Sequence, residues 1–164
     1  MALHATAILQ SLLLIVVANG APVLFKRLLG ARLAYPIDGG LIASDGRPLL
    51  GRSKTWRGLV GAVLLAACAA AIIRLPWQLG ALAGASAMAG DSASSFAKRR
   101  FGLAPSSMAL GLDQVPESLL PTLVCGIYLS LDLIDVVAIV LAFFVGELAL
   151  SRLLFALRLR DRPY

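Results

Sequence analysis

Residues 90–102 read GDSASSFAKRRFG and close a run of small and apolar residues, GALAGASAMA, that begins at Gly80. An acid, three serines and three consecutive cations at the end of an apolar run mark a helix leaving hydrocarbon for water. Lys98, Arg99 and Arg100 complement the negative end of a helix dipole and stop translocation. Their angular order says more. At about 100° per residue, Asp91, Ser95 and Lys98 fall in one stripe, Ser94 and Arg99 flank it, and Arg100 points away. Traced backward, the stripe meets Ala87 and Gly84, small residues suited to close helix contact. A carboxylate near the hydrocarbon boundary is costly against lipid, so this face is expected to turn into a helix bundle.

The composition places that bundle in a bilayer. Of 164 residues, 59% are hydrophobic and 15% charged, and the mean hydropathy is +0.86. One small water-soluble domain cannot hide so much apolar surface. The net charge of +6 would suggest nucleic acid in a soluble protein, but here the cations belong to membrane topology and no nucleic-acid partner is expected. Cys68 and Cys125 lie in apolar runs and read as small core residues, neither a disulfide nor a metal pair. His4, near the start of the chain, is expected to be inert.

Five apolar spans follow, at 5–24, 56–73, 77–90, 115–131 and 134–157. A crossing helix needs about 20 residues, so the third is expected to continue through Asp91 toward Arg100. The first span lacks a basic stretch before it and is followed by cations, so it is expected to be retained and not cleaved. Fourteen of the fifteen basic residues fall between spans one and two, after span three, or after span five, leaving Arg74 on the other side. The expected fold is therefore an all-α polytopic bundle of five transmembrane helices over residues 1–164 as a single domain. Its N-terminus lies outside and its C-terminus in the cytoplasm. Trp56 at the inner boundary and Trp77 and Tyr128 at the outer one suit the aromatic belts.

The polar segments converge on the cytoplasmic side. The connection 26–58, KRLLGARLAYPIDGGLIASDGRPLLGRSKTWRG, carries Asp38, Asp45 and turn-forming PIDGG and SDGRP units, and loops of this length are usually functional. Its end places Lys54, Thr55 and free amides at the start of the second helix, which favours phosphate. The alternative is that Lys54 and Arg57 anchor lipid headgroups. In GLDQVPESLLP (111–121), Asp113 either caps a helix opened by Pro116 or joins Asp91 in a carboxylate site for magnesium, with substrate phosphates completing the shell.

PIDGG, GRSKTWRG, GD with SSFAKRRFG, and LDQ, in this order on five spans, resemble the CDP-archaeol synthases, membrane cytidylyltransferases related to the phosphatidate cytidylyltransferases. The likeness runs from Asn19 and Pro22 to the fourth span. It implies transfer of CMP from CTP to a membrane lipid phosphate, archaeal ether-lipid or phosphatidate-like, giving CDP-lipid and pyrophosphate in phospholipid biosynthesis at a site facing the cytoplasm. It further implies Mg²⁺ on Asp91 and Asp113, catalytic roles for Asp91, Lys98, Arg99 and Asp113, and nucleotide or phosphate contacts from Lys54, Thr55 and Ser95; Arg57 and Asp38, in the same connection, are expected to join those contacts. Where the family usually has a second aspartate three residues after the first of its DQ segment, this chain has Pro116, with Glu117 next. A second metal ligand and the lipid's identity are thereby left open; Glu117 substitutes only if the turn presents it to the same site.

Such chemistry needs no histidine base. A lipid phosphate is already an anionic nucleophile, and the reaction needs charge neutralisation and alignment. Asp132 and Asp135 lie at the outer turn and are expected to cap the last helix. Glu147, inside the last span, is expected to line the lipid pocket or pair with Arg152, and Pro121 to kink the fourth span. Alternatives are a small membrane transporter, whose polar groups would gather near the midplane, and a non-catalytic membrane subunit. The DGG at Asp38 also resembles the CDP-alcohol phosphotransferases, but the further aspartates of their metal site are lacking. The faces GLVG and GALAG suit packing within one chain or between two copies, so a homo-oligomer is left open.

Overall fold

The structure, a computed structural model, describes residues 3–104, 107 and 109–156, with backbone alone at 154 and 156. Its elements are α1 (Ala5–Leu29), α2 (Trp56–Ile72), α3 (Trp77–Arg100), α4 (Gln114–Leu129) and α5 (Leu133–Ala156). Among the described residues there is no strand, only isolated bridges between Pro36 and Thr55 and between Ile42 and Pro48.

Local chemistry sets the boundaries. Thr55 opens α2 from an extended conformation, and its hydroxyl accepts from the Gly58 amide at 3.4 Å, an N-cap that satisfies one of the orphan amides of the first turn. Gly30, at φ 57°, terminates α1, a conformation that glycine adopts without steric cost. α1 runs beyond the apolar span to include Lys26 and Arg27 in its last turn. α3 carries straight through Asp91 to Arg100, as its sequence required.

Small residues let the helices approach closely. A Cβ at Gly80 would lie 2.1 Å from the Ala66 carbonyl oxygen, and one at Gly84 would lie 2.7 Å from that of Ala62. α3 therefore presses backbone to backbone on α2, as the GALAG face suggested. On its opposite side, a Cβ at Gly90 would meet the Pro116 carbonyl oxygen at 2.2 Å, which brings the start of α4 against the residue before Asp91. α3 is thus the central helix. Ala18, Ala21, Ala62, Ala66, Ala87 and Met88 form one buried cluster across α1, α2 and α3. Leu14, Ala70, Leu79, Ala83 and Cys125 form a second that reaches α4, and Ile15, Ile139 and Phe143 join α1 to α5.

α1 and α5 are long and apolar enough to cross a membrane, and only 28% and 17% of their most apolar windows are buried within the protein. The outward surfaces are correspondingly oily: Ile72, Ile127 and Leu133 are each more than three-quarters exposed. α2, with 17 residues, and α4, with 16, are shorter, about 24–26 Å of helix. Both cysteines are free thiols, Cys125 buried and Cys68 exposed.

Candidate functional site

Alternating helix directions bring four features to one end of the bundle: the 30–55 connection, the start of α2, the end of α3 and the start of α4. The connection is shaped by Asp38. Its carboxylate accepts from the amides of Gly40 (3.0 Å), Leu50 (2.9 Å) and Gly51 (3.3 Å). Burial pushes that carboxyl up, but the amides of Gly40, Leu50 and Gly51 outweigh it and hold the group below the ordinary range. Paired backbone bonds, Ile37 N to Lys54 O (2.9 Å) and Trp56 N to Tyr35 O (3.0 Å), then tie the first part of the connection to the start of α2. Lys54 and Thr55 are held there as a result.

Lys54 reaches across to α3. Its Nζ donates to both carboxylate oxygens of Asp91 at 2.6 Å, and the two side chains are 17% and 26% exposed. A second pair forms at the same end of the bundle. Lys98 Nζ lies 2.6 Å from Asp113 Oδ1 and also donates to the Ser107 carbonyl at 3.0 Å. Asp113 Oδ2 accepts from the Ala109 amide at 2.9 Å. Its expected alternative as a helix cap is corrected here, because Asp113 makes no side-chain cap. Gln114 Oε1 instead accepts from the Gly111 amide at 2.9 Å. The contact of Gly90 with Pro116 and Glu117 brings the helix ends that carry Asp91 and Asp113 together.

The remaining predicted residues divide by what they touch. Ser95 and Arg99 are buried on α3; Arg99 Nη2 donates to the Ala104 carbonyl at 3.0 Å, while its buried Nε has no partner among the described residues. Thr55 is occupied as the α2 cap. Arg57 donates to the carbonyls of Gly30 (2.7 Å) and Arg32 (2.5 Å), closing the end of α1. Asp38, as described, is saturated by amides. Lys54, Thr55, Asp91 and Ser92 line a narrow cleft with Pro22 and Met88. A larger open depression of about 590 Å³ lies at Leu29 and Ala31 to Tyr35, with none of the acid–lysine group on its walls.

Three features go beyond the sequence reading. Arg47 and Arg100 form a reciprocal clasp: Arg47 donates to the Arg100 carbonyl at 2.6 Å, and Arg100 donates to Asp45 at 2.7 Å and to the Pro48 carbonyl at 2.6 Å. Arg100 also stacks over Phe96, 5.2 Å from the ring centroid. Its direction away from the Asp91 stripe was legible, but its partners were not. Glu117, the acid next to Pro116 that the sequence reading raised as a substitute ligand, is buried between α3 and α4, within electrostatic reach of Glu147, Asp91, Lys54 and Asp113. At the opposite end His4 is not inert, which corrects the expectation. Its Nδ1 pairs with Asp135 at 2.6 Å and its amide donates to the same carboxylate at 3.1 Å, so the hydrogen bond to Asp135 raises the His4 pKa. Asp135 does cap α5, by accepting from the Asp132 amide at 3.0 Å, one half of a capping box.

An apolar bundle with lysines and carboxylates gathered at one end defines a membrane protein whose polar site suits phosphates and a hard cation. Comparison with known proteins makes the assignment specific. The family model described as "CarS-like: CDP-archaeol synthase" matches residues 75–164. Among similar proteins, the CDP-archaeol synthase of Hyperthermus butylicus is 43% identical over 65% of this chain and 66% of its own length. That of Thermofilum pendens is 34% identical over 90% of this chain and 76% of its own, and that of Sulfurisphaera tokodaii 32% identical over 90% and 89%. The chain spans about two thirds of the first of these relatives and more of the other two. A solved structure described as an intramembrane enzyme for archaeal membrane lipid biosynthesis superposes with a TM-score of 0.74 at 29% identity, covering 87% of this chain and 90% of that one. The chain belongs to the CDP-archaeol synthase family.

Proposed function

We propose that this protein transfers CMP from CTP to an archaeal ether-lipid phosphate, releasing pyrophosphate and leaving a CDP-activated lipid in the membrane. Family membership supports the cytidylyl-transfer reaction, and the likeness to an intramembrane lipid-biosynthesis enzyme supports the bilayer setting. The observation that carries the site assignment is that two ion pairs, Lys54 with Asp91 and Lys98 with Asp113, both form at one end of the bundle, each with its acid acting on Glu117.

A non-bridging oxygen of the lipid phosphate attacks the α-phosphorus of CTP, and the bond from that phosphorus to the bridging oxygen of the leaving pyrophosphate breaks. No proton need leave the nucleophile, so the chain's task is alignment and charge neutralisation. Lys98 and Arg99, at the end of α3, face the transferring and leaving phosphates. Lys54, beside the amino end of α2, receives a second phosphate group. The carboxylate oxygens of Asp91 and Asp113 are hard donors from adjacent helix ends, a donor set that fits Mg²⁺. Such an ion, when bound, supplies positive charge against the triphosphate. The two lysines hold those carboxylates, so binding is an exchange in which ammonium groups move from carboxylate to phosphate.

In this reading all five helices cross the bilayer, α2 and α4 at the short limit of about 17 residues, with the N-terminus outside and the site in the cytoplasm. Clustering of charge at one end argues against a transporter, whose site would lie near the midplane. The test is purified protein in detergent with radiolabelled CTP, Mg²⁺ and a panel of lipid phosphates. CDP-lipid is the expected product, with the archaeal ether-lipid phosphate the best acceptor; no CDP-lipid from any acceptor would overturn the reading.

A further inference from the structure

The last turn of α3, which carries Lys98 and Arg99, is completed by a residue from another segment. The Gly102 amide donates to the Arg99 carbonyl at 3.1 Å and the Leu103 amide to the Lys98 carbonyl at 2.9 Å, with Gly102 in the left-handed region at φ 74°. This C-terminal pattern satisfies two carbonyls that have no partner within the helix, but no backbone amide among the described residues reaches that of Arg100. Arg47 supplies the missing donor. Its Nη1 lies 2.6 Å from the Arg100 carbonyl oxygen and 3.3 Å from that of Arg99, with its charge at the negative end of the helix dipole. A Cβ at Gly102 would stand 3.2 Å from Arg47 Nη2, so the guanidinium rests on bare glycine backbone.

The connection holds Arg47 in readiness. Asp45 Oδ1 accepts from the Arg47 amide at 3.1 Å and from Arg100 Nη1 at 2.7 Å, so one carboxylate serves both arginine residues. Arg100 Nη2 returns the contact to the Pro48 carbonyl at 2.6 Å. From there to Lys54 the backbone is fixed by the Leu50 and Gly51 amides on Asp38 and by the Lys54 amide on the Gly51 carbonyl at 3.2 Å. The Asp45 and Arg100 side chains are 38% and 26% exposed, and such a pair contributes little to stability by itself. Its consequence is geometric: two segments that each carry phosphate-binding cations are locked together.

We propose that Arg47 is a positioning residue for cytidylyl transfer, capping α3 so that the turn bearing Lys98 and Arg99 keeps a fixed register to Lys54. This rests on the roles of those three cations given under Proposed function. Helix ends without such partners fray, and a displacement of about 1 Å in an aligning group costs on the order of 10²-fold in rate.

The test is steady-state kinetics of CDP-lipid formation in detergent, with CTP and lipid phosphate varied in turn, for wild type, Arg47→Gln and Arg47→Lys. Arg47→Gln is expected to lower kcat/KM for CTP by about 10- to 100-fold, with a raised KM for CTP and an unchanged KM for the lipid phosphate. Arg47→Lys keeps a cationic donor for the Arg100 carbonyl and is expected to restore most of the loss. Wild-type constants in Arg47→Gln overturn the inference and leave the proposed function standing. A lower kcat with both KM values unchanged also overturns it, because that is the signature of a smaller folded fraction. If wild type itself forms no CDP-lipid from any acceptor, the proposed function falls and this inference with it. Should Arg47→Gln fail to fold, Asp45→Asn decides by the same assay: a raised KM for CTP is expected, and a wild-type value overturns the proposal.

Discussion

The two ends of the bundle each carry a carboxylate paired with a cation, and they are built to opposite purposes. At the His4 end, Asp135 is 1% exposed and takes the His4 ring, the His4 amide and the Asp132 amide on one carboxylate. Two of those donors are backbone and cannot leave without unravelling a helix start. At the Lys54 end, Asp91 and Asp113 are 26% and 20% exposed in their side chains, and each is matched by an ammonium on a flexible four-carbon stem. Saturation by fixed amides marks a structural acid; pairing with a movable lysine at a partly open edge marks an exchangeable one. Asp38, within the functional end, follows the first pattern.

The largest effect separates these classes. Asp91→Asn is expected to lower CDP-lipid formation by about 10³-fold, the scale of losing a group that stabilises developing charge, with the melting temperature in detergent little changed. Activity retained in Asp91→Asn would end the distinction between the two ends. Next, Lys54→Met and Lys98→Met are each expected to cut turnover by about 10²-fold. Because each also frees a carboxylate, Mn²⁺ titrated without nucleotide should bind more tightly than in wild type. Weaker Mn²⁺ binding in both variants would show that the lysines are not competitors for the site.

Asp38→Ala belongs to the structural class and is expected to cost about 1–3 kcal/mol by leaving the partly buried Leu50 amide and the buried Gly51 amide without their acceptor, read in a denaturation curve. Its folded pKa is depressed, so its stabilisation is present above the ordinary carboxylate value of about 4 and is lost as pH falls through the lower folded value. Asp38→Ala should flatten that acid limb. The smallest effect is His4→Ala, with turnover within about twofold of wild type and a slightly lower melting temperature. The raised His4 pKa means that its contribution is present below about pH 6.5 and fades as pH rises through the folded value. A melting temperature equally altered at pH 5 and pH 9 would contradict the ion pair.

Much of this was legible in the chain because membrane helices are written in composition. The apolar spans, the extension of α3 through Asp91, the inward face of Asp91 and Lys98, and the small-residue contact of GALAG follow from solvent cost and helical periodicity, which are local properties. The family motifs lay in the same polar segments. Pairings across separate segments were not legible. Lys54 and Asp91 are 37 residues apart, and Arg47 and Arg100 are 53. Arg57 turned back to the end of α1, and Asp113 took a lysine instead of a cap, because the tertiary arrangement offered partners that no spacing rule foresees.

By itself, the sequence determined that this protein is a bundle of apolar helices with its charge at one end, since burying or solvating a side chain costs the same wherever the chain later goes. Only the tertiary structure decided which acid holds which cation. It also buried Glu117 against α3, because the close approach of α3 and α4 at Gly90 and Pro116 is a meeting of two surfaces, and the identity of a neighbour is a property of neither alone.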